Sequence, residues 1–205
     1  MTNEKNQMYF AANPNSKHDE HLVHYRIDDI DLKFYTDAGV FSKMRVDYGS
    51  GVLIKAMKGQ SFPNEGILDV GCGYGPIGLF AARFWPQQEV QMVDVNERAL
   101  DLAKRNAQLN NIDNVDIYES DIYTQVDKRN FGLILTNPPI RAGKKVVDEI
   151  ISRAKDFLVK DGLVLAVIQK KQGAPSAKKL MTEVYGNCEI LTRDKGYYIL
   201  ASRNN

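Results

Sequence analysis

Short apolar runs alternate with amphipathic stretches along most of this chain, and from residue 65 onward the alternation is regular. Runs at 65–70, 89–94, 115–119, 131–136 and 162–168 have the length and branched-aliphatic content of buried strands. Between them, 76–85, 97–110, 144–158 and 175–185 carry apolar residues at helical spacing, while 122–130 reads as a connection. Such alternation predicts an open α/β sheet, mostly parallel, with helices on both faces. The last two runs, 188–192 and 197–201, are joined by Asp194-Lys195-Gly196. So short a link permits an antiparallel pair and forbids a parallel crossover. Upstream, Tyr25-Arg26-Ile27 and Asp31–Tyr35 flank Asp28-Asp29-Ile30 and predict a small hairpin. Thr36–Ser42 reads as a loop, and 47–57 as a helix with Val52, Leu53, Ala56 and Met57 on one face. The expectation is one domain over 1–205, in which 1–60 is an extension with hairpin and helix and 61–205 is the core. Residues 1–20 are polar and are expected to be loose at the start.

A chain of 205 residues suffices for one sizeable α/β core and not for two. Lys plus Arg total 27 and Asp plus Glu 26, so overall charge neither demands nor excludes a nucleic-acid partner. Distribution says more. Residues 141–195 carry twelve Lys or Arg against seven Asp or Glu, which makes the second half the basic half. Two cysteines, Cys72 and Cys188, form no disulfide framework and suit a reduced, cytoplasmic protein. The polar amino terminus has no apolar signal core, and no apolar run is long enough to span a bilayer. His18, His21 and His24 recur at every third position, but no nearby Cys or paired carboxylate completes a metal set, so no metal is expected.

Two motifs carry chemistry. The first is Asn137-Pro138-Pro139-Ile140, directly after the 131–136 run. Two prolines stop that strand at its carboxyl end, where open α/β sheets bind ligands. An amino group conjugated to a ring is a poor nucleophile, because its lone pair is delocalised. Two acceptors, the Asn137 side-chain oxygen and the Pro138 carbonyl, can each take one N–H bond and draw the nitrogen toward a tetrahedral shape. The lone pair is then free to meet an electrophile. Methyl transfer from a sulfonium to such an amine needs positioning more than a strong base, since the amine loses its proton afterward.

The second motif is the turn Asp69-Val70-Gly71-Cys72-Gly73-Tyr74-Gly75-Pro76-Ile77-Gly78 after the 65–70 strand. Gly73, Gly75 and Gly78 satisfy G-x-G-x-x-G, a pattern shared with dinucleotide sites. Asp69 ahead of the glycines disfavours a pyrophosphate and suits an ammonium group or backbone amides. S-adenosylmethionine has an amino-acid tail and no phosphate. Asp94 ends the next strand, where a carboxylate accepts from ribose hydroxyls. Asp121 ends the third and is placed for an adenine amino group. Asn96 reads as the N-cap of helix 97–110.

Together, Asp69–Gly75 and Asn137–Ile140 resemble the class I S-adenosylmethionine-dependent methyltransferases acting on amino nitrogens. Thr36–Ser42 followed by Asp47-Tyr48-Gly49-Ser50 narrows the resemblance to bacterial small-subunit ribosomal RNA guanine-N2 methyltransferases of the RsmC type, over about Tyr25 to Ser202. The resemblance implies a Rossmann-like, seven-stranded, mostly parallel sheet with an antiparallel last strand. It implies S-adenosylmethionine held by Asp69, Gly71, Gly73, Gly75, Asp94 and Asp121, with Phe41 lining its pocket. Guanine N2 in small-subunit ribosomal RNA is then the expected target, and RNA or the small ribosomal subunit the partner. Arg141, Lys144, Lys145, Lys170 and Lys171 are the candidates for its phosphates. The family's tetrapeptide usually ends in an aromatic that stacks on the base. Here Ile140 stands there, so stacking must come from elsewhere, with Phe41, Tyr197 or Tyr198 as candidates. Other readings stay open: adenine N6 in RNA or DNA, a protein glutamine amide, a dinucleotide-dependent oxidoreductase, or a non-catalytic binding module.

Overall fold

The computed structural model describes residues 17–205; the polar segment expected to be loose at the start lies largely outside the described residues. Seven strands form one sheet: β3 (Ile67–Val70), β4 (Val90–Asp94), β5 (Val115–Glu119), β6 (Phe131–Thr136), β7 (Leu158–Gln169), β8 (Glu189–Asp194) and β9 (Tyr197–Arg203). Their order is β5-β4-β3-β6-β7-β9-β8. β3 pairs in parallel with β4 and β6, β4 with β5, and β6 with β7. β9 runs antiparallel to both β7 and β8. The short link at Asp194-Lys195-Gly196 forces that reversal, as expected. Five helices accompany the sheet: α1 (Tyr48–Lys58), α2 (Pro76–Phe84), α3 (Glu97–Leu109), α4 (Lys144–Arg153) and α5 (Ala174–Tyr185).

The central strands explain why the sheet is covered twice. Every residue of β3 and of β6 is buried, so side chains on both faces need partners. On one face Ile67, Leu133, Leu135 and Leu165 pack with α1, α2 and α3 residues such as Leu53, Phe80 and Leu102. On the other, Leu68, Ile134 and Val164 pack with Ile151 of α4 and Met181 of α5.

Two sequence boundaries move. The helix expected over 144–158 ends at Arg153, followed by a 3-10 turn Ala154–Phe157, and β7 begins at Leu158 rather than 162. The early start of β7 is irregular: Phe131 pairs with Leu158 but Leu133 with Leu163. Asp161 has φ 62°, and its N–H and the Gly162 carbonyl bond the Asn204 backbone, which closes the kink. Local pattern could not show this, because Asn204 is 43 positions away.

The amino-terminal hairpin is β1 (His21–Ile27) and β2 (Ile30–Thr36), joined at Asp28-Asp29 with Asp28 at φ 54°. β1 covers one edge of β2. The other edge meets the end of α3, where Asn106 in the helix and Asn110 capping it act as a short strand. Asn106 accepts from Tyr35 N (2.6 Å) and donates to the Tyr35 carbonyl (3.0 Å). Asn110, one turn later, accepts from Lys33 N (2.9 Å) and donates to the Lys33 carbonyl (2.7 Å). Spacing of four on a helix places both amides on one face, matching the spacing of two on the strand. These bonds satisfy backbone groups that a bare edge would leave open.

Candidate active site

A cavity of about 510 Å³ opens at the carboxyl ends of β3, β4, β5 and β6. Pockets of this size take small cofactors. It straddles β3 and β6, where the chain order of the sheet reverses, the usual ligand position in open α/β sheets. β3 contributes Val70, Gly71, Cys72, Gly73 and Tyr74; β4 contributes Asp94 and Val95; β5 contributes Glu119, Ser120, Asp121 and Ile122. Asn137, Pro138 and Pro139 close the β6 side, and Phe41, Asp47 and Ser50 come from the segment before and within α1.

The glycine turn is held by two carboxylates in different ways. Asp94 lies half-buried in the wall and accepts from Gly73 N (2.8 Å) and Asn96 N (2.9 Å). Burial raises its pKa, and the two amides oppose the rise. Gly71 and Gly73 have φ 75° and 57°, and a Cβ on either would meet nothing within 4 Å. The space over them is therefore open, a cradle that side chains would fill.

Asp69 is a correction. It is fully buried and outside the cavity wall. One oxygen accepts from Gly78 N (2.8 Å), tying strand to helix, and the other has no partner among the described residues. Burial pushes its pKa up to about 7. It steadies the turn from behind the cavity wall rather than lining it. Gly75 also stands behind the wall: at φ 99° it caps α2, and an added Cβ would lie 3.0 Å from Met92. Cys72 lines the cavity, but burial keeps its thiol protonated, so it is no nucleophile.

The tetrapeptide side depends on α1. Asp47 caps this helix, accepting from Ser50 N (3.0 Å). The same carboxylate oxygen accepts from Asn137 Nδ2 (3.1 Å), and Ser50 Oγ accepts from Nδ2 as well (2.9 Å). A carboxylate only accepts, so the group facing it must be the amide nitrogen. Both N–H bonds are then used, and the direction of the Asn137 oxygen is set. The sequence showed Asp47 and Ser50 only as part of a resemblance; the bond from Asp47 to a residue 90 positions away was not visible.

Ile140 is the second correction. It opens a single 3-10 turn, Ile140–Ala142, is half-buried, and packs on the α4-side core rather than lining the cavity. Phe41 is 41% exposed and does line it. Its loop is anchored by Asn96, whose amide donates to the Gly39 carbonyl (3.0 Å) while its oxygen accepts from Ala99 N (3.2 Å). Asn96 is thus the expected helix cap and also a loop tether. Arg98 adds a bond to the Ala38 carbonyl (2.7 Å). Asp121 is exposed at the rim. Arg141, Lys144, Lys145, Lys170 and Lys171 are all exposed, and all follow β6 or β7 at the cavity end of the sheet; Lys144 pairs with Asp148. His18 bonds Asp37 and His21 pairs with Asp19, and among the described residues no group of three or more His, Cys, Asp or Glu is placed to hold a metal. No helix among them is long and apolar enough to cross a membrane.

Residues 31–201 match the family model described as the methyltransferase small domain. The chain belongs to this family. It is an S-adenosylmethionine-dependent methyltransferase. It is 45% identical to the uncharacterized protein YbxB of Bacillus subtilis (strain 168) over 95% of this chain and 97% of that one. It is also similar to ribosomal RNA small subunit methyltransferase C of Hamiltonella defensa, with 32% identity over 85% of this chain and 51% of that protein. A solved structure of the T. thermophilus 16S rRNA N2 G1207 methyltransferase (RsmC), in complex with AdoMet and guanosine, superposes with a TM-score of 0.80 at 23% identity. That match covers 91% of this chain and 51% of the other. The chain thus spans about half the length of both ribosomal RNA methyltransferases.

Proposed function

We propose that this methyltransferase modifies an exocyclic amino nitrogen, guanine N2 in small-subunit ribosomal RNA. The observation that carries this reading is the Asn137 amide. Its nitrogen is spent on Asp47 and Ser50, so its oxygen is the atom offered to an incoming N–H. The Pro139 carbonyl accepts from Ala142 N (2.9 Å), which leaves the Pro138 carbonyl as the second acceptor at the mouth.

The cavity fits the cofactor in three respects. The open space over Gly71 and Gly73 admits the amino-acid tail against backbone. Asp94 has lone pairs left for ribose hydroxyls after serving two amides. Asp121 stands at the end of β5 for an adenine amino group, with Ile122 and Val95 as apolar walls.

S-adenosylmethionine supplies a methyl group on a positively charged sulfur. Asn137 and Pro138 hold the two amine hydrogens and aim the lone pair along one line. Phe41 and the prolines exclude water. The bound group would supply its methyl as an electrophile and leave as a neutral thioether, and the surplus proton would pass from the product nitrogen to solvent. No side chain need act as a strong base, because the donor is cationic and the leaving thioether neutral. Positioning of this kind supplies up to roughly 7–11 kcal/mol.

RNA as the substrate is supported by the basic residues at the cavity end and by the ribosomal RNA methyltransferases among the relatives. The test is nucleoside mass spectrometry of ribosomal RNA from cells with and without the protein, followed by transfer of labelled methyl to the unmodified RNA. An N2-methylguanosine that depends on the protein supports the reading. Labelled ribosomal protein with unlabelled RNA would replace it with a glutamine-amide reading.

A further inference from the structure

Ile140 is turned toward the core, so no aromatic of the tetrapeptide is available to the substrate. The large apolar side chains that the described residues expose are Leu22, Phe41, Met44 and Tyr48, and three of these fall between 41 and 48. Phe41 belongs to the cavity wall, whereas Tyr48 lies just outside it. Tyr48 is the first residue of α1, next to Asp47, whose carboxylate braces Asn137. It is 38% exposed.

Other elements hold Tyr48 in place. Its ring lies 5.8 Å from that of Tyr197, tilted by 43°, and its hydroxyl donates to Asp194 Oδ2 (2.8 Å). Gly49 permits this arrangement, since a Cβ there would lie 2.7 Å from the Tyr197 ring. The Lys195 ammonium rests 4.8 Å from the Tyr48 ring centre. The backbone bond from Lys170 N to the Gly196 carbonyl (2.7 Å) brings Lys170 and Lys171 beside the same turn. An oriented aromatic ring, exposed beside three exposed lysines, is the composition of a single-strand nucleic-acid platform. Asp194 accepts from the tyrosine hydroxyl and keeps its charge, a single carboxylate against three ammonium groups.

We propose that Tyr48, backed by Tyr197, is the stacking platform for the unpaired nucleotide next to the methylated base, and that Lys170, Lys171 and Lys195 take the phosphates on that side. This rests on the RNA reading above. The target base enters the cavity by Asn137, and its neighbour cannot follow. It stays outside, on the ring adjoining the brace. The Lys195 ammonium is held on that ring only by a cation–π contact, and rotation of its flexible stem frees the ring face while keeping the charge close. The tetrapeptide can then end in an aliphatic residue, because aromatic contact with the RNA comes from α1.

The experiment uses the full chain and an unstructured oligoribonucleotide with one central guanosine and 2-aminopurine on either flank. Wild-type protein quenches the fluorescence of one flanking 2-aminopurine. Tyr48→Leu abolishes the quenching and weakens binding about tenfold or more. Tyr48→Phe restores both, and calorimetry shows the same S-adenosylmethionine affinity in all three proteins. Lys195→Gln keeps the quenching and makes the dependence of log affinity on log salt shallower by about 0.7. Equal quenching by wild type and Tyr48→Leu, or binding by wild type without quenching of either flank, overturns the platform and leaves the RNA reading standing. Failure of wild-type protein to bind the oligonucleotide while it binds S-adenosylmethionine overturns both.

Discussion

The two walls of the cavity are built from different kinds of sequence information. The β3–β4 wall is local: Asp69 holds Gly78, nine positions on, and Asp94 holds Asn96 and Gly73. Backbone amides bound by one buried and one half-buried carboxylate shape it, and positive φ at Gly71 and Gly73 accompanies the open space. The β6 wall is assembled from far apart: a helix cap at Asp47 and a hydroxyl at Ser50 aim an amide at 137. The first wall can recognise a small molecule by shape alone. The second holds its shape only if α1 is docked, because both groups that fix the Asn137 amide come from the start of that helix.

That contrast can be broken or sharpened by substitution. Asn137→Ala should give the largest effect, a loss of about a hundredfold or more in kcat, because the amine loses its aim. Cofactor affinity by calorimetry should change little; a parallel loss of affinity would mean that the two walls are one unit. Gly73→Val puts a branched side chain at φ 57° into the open cradle. It should weaken cofactor binding about tenfold, with a strain of about 1–2 kcal/mol visible as a lower melting temperature. Ser50→Ala removes one acceptor from Asn137 without touching the Asp47 cap, so kcat should fall several-fold, about 1 kcal/mol, with unfolding nearly unchanged. Asp47→Ala removes the other acceptor together with the helix cap and should cost about 1 kcal/mol of stability in addition.

Asp69 gives a pH-dependent test. Its pKa of about 7 in the fold is raised from the model-peptide value of 3.8. Between roughly pH 4 and 7 the unfolded chain releases a proton that the folded chain keeps. Stability contributed at this site is therefore highest at the acid end and falls as pH rises through that window, by at most about 1.4 kcal/mol per unit. Asp69→Asn keeps an acceptor for Gly78 and removes the titration. Chemical denaturation of the ligand-free proteins at pH 4.5 and pH 8 should show the variant gaining on the wild type at the higher pH. A constant difference would place the Asp69 charge in a solvated environment.

Sequence pattern made the sheet and the first wall legible for the same physical reason. Runs such as Leu133-Ile134-Leu135 are buried on both faces whatever their neighbours, and a glycine turn writes its backbone angles into residue type. The antiparallel end was legible because three residues cannot cross over. Ile140 and Asp69 misled, since residue type shows what a side chain can contact and not which way the packed backbone turns it. Asn96 was legible only as a cap, and its second bond, to Gly39, joins elements distant in sequence. The pinning of Asn137 and the side-chain amides that line β2 were invisible, because each depends on a partner more than 70 positions away.

Asn106 does one thing more than pair with the hairpin: its amide also donates to the Tyr74 carbonyl (2.9 Å), inside the glycine turn. A single buried side chain therefore clasps the outlying ribbon and the glycine turn together. Cutting the polypeptide at residue 61 would strip away both the groups that fix the Asn137 amide and one of the two segments meeting at this clasp. The stretch from β1 through α1 is better regarded as one jaw of a vice than as an appendage, since the far side of the cavity leans on it.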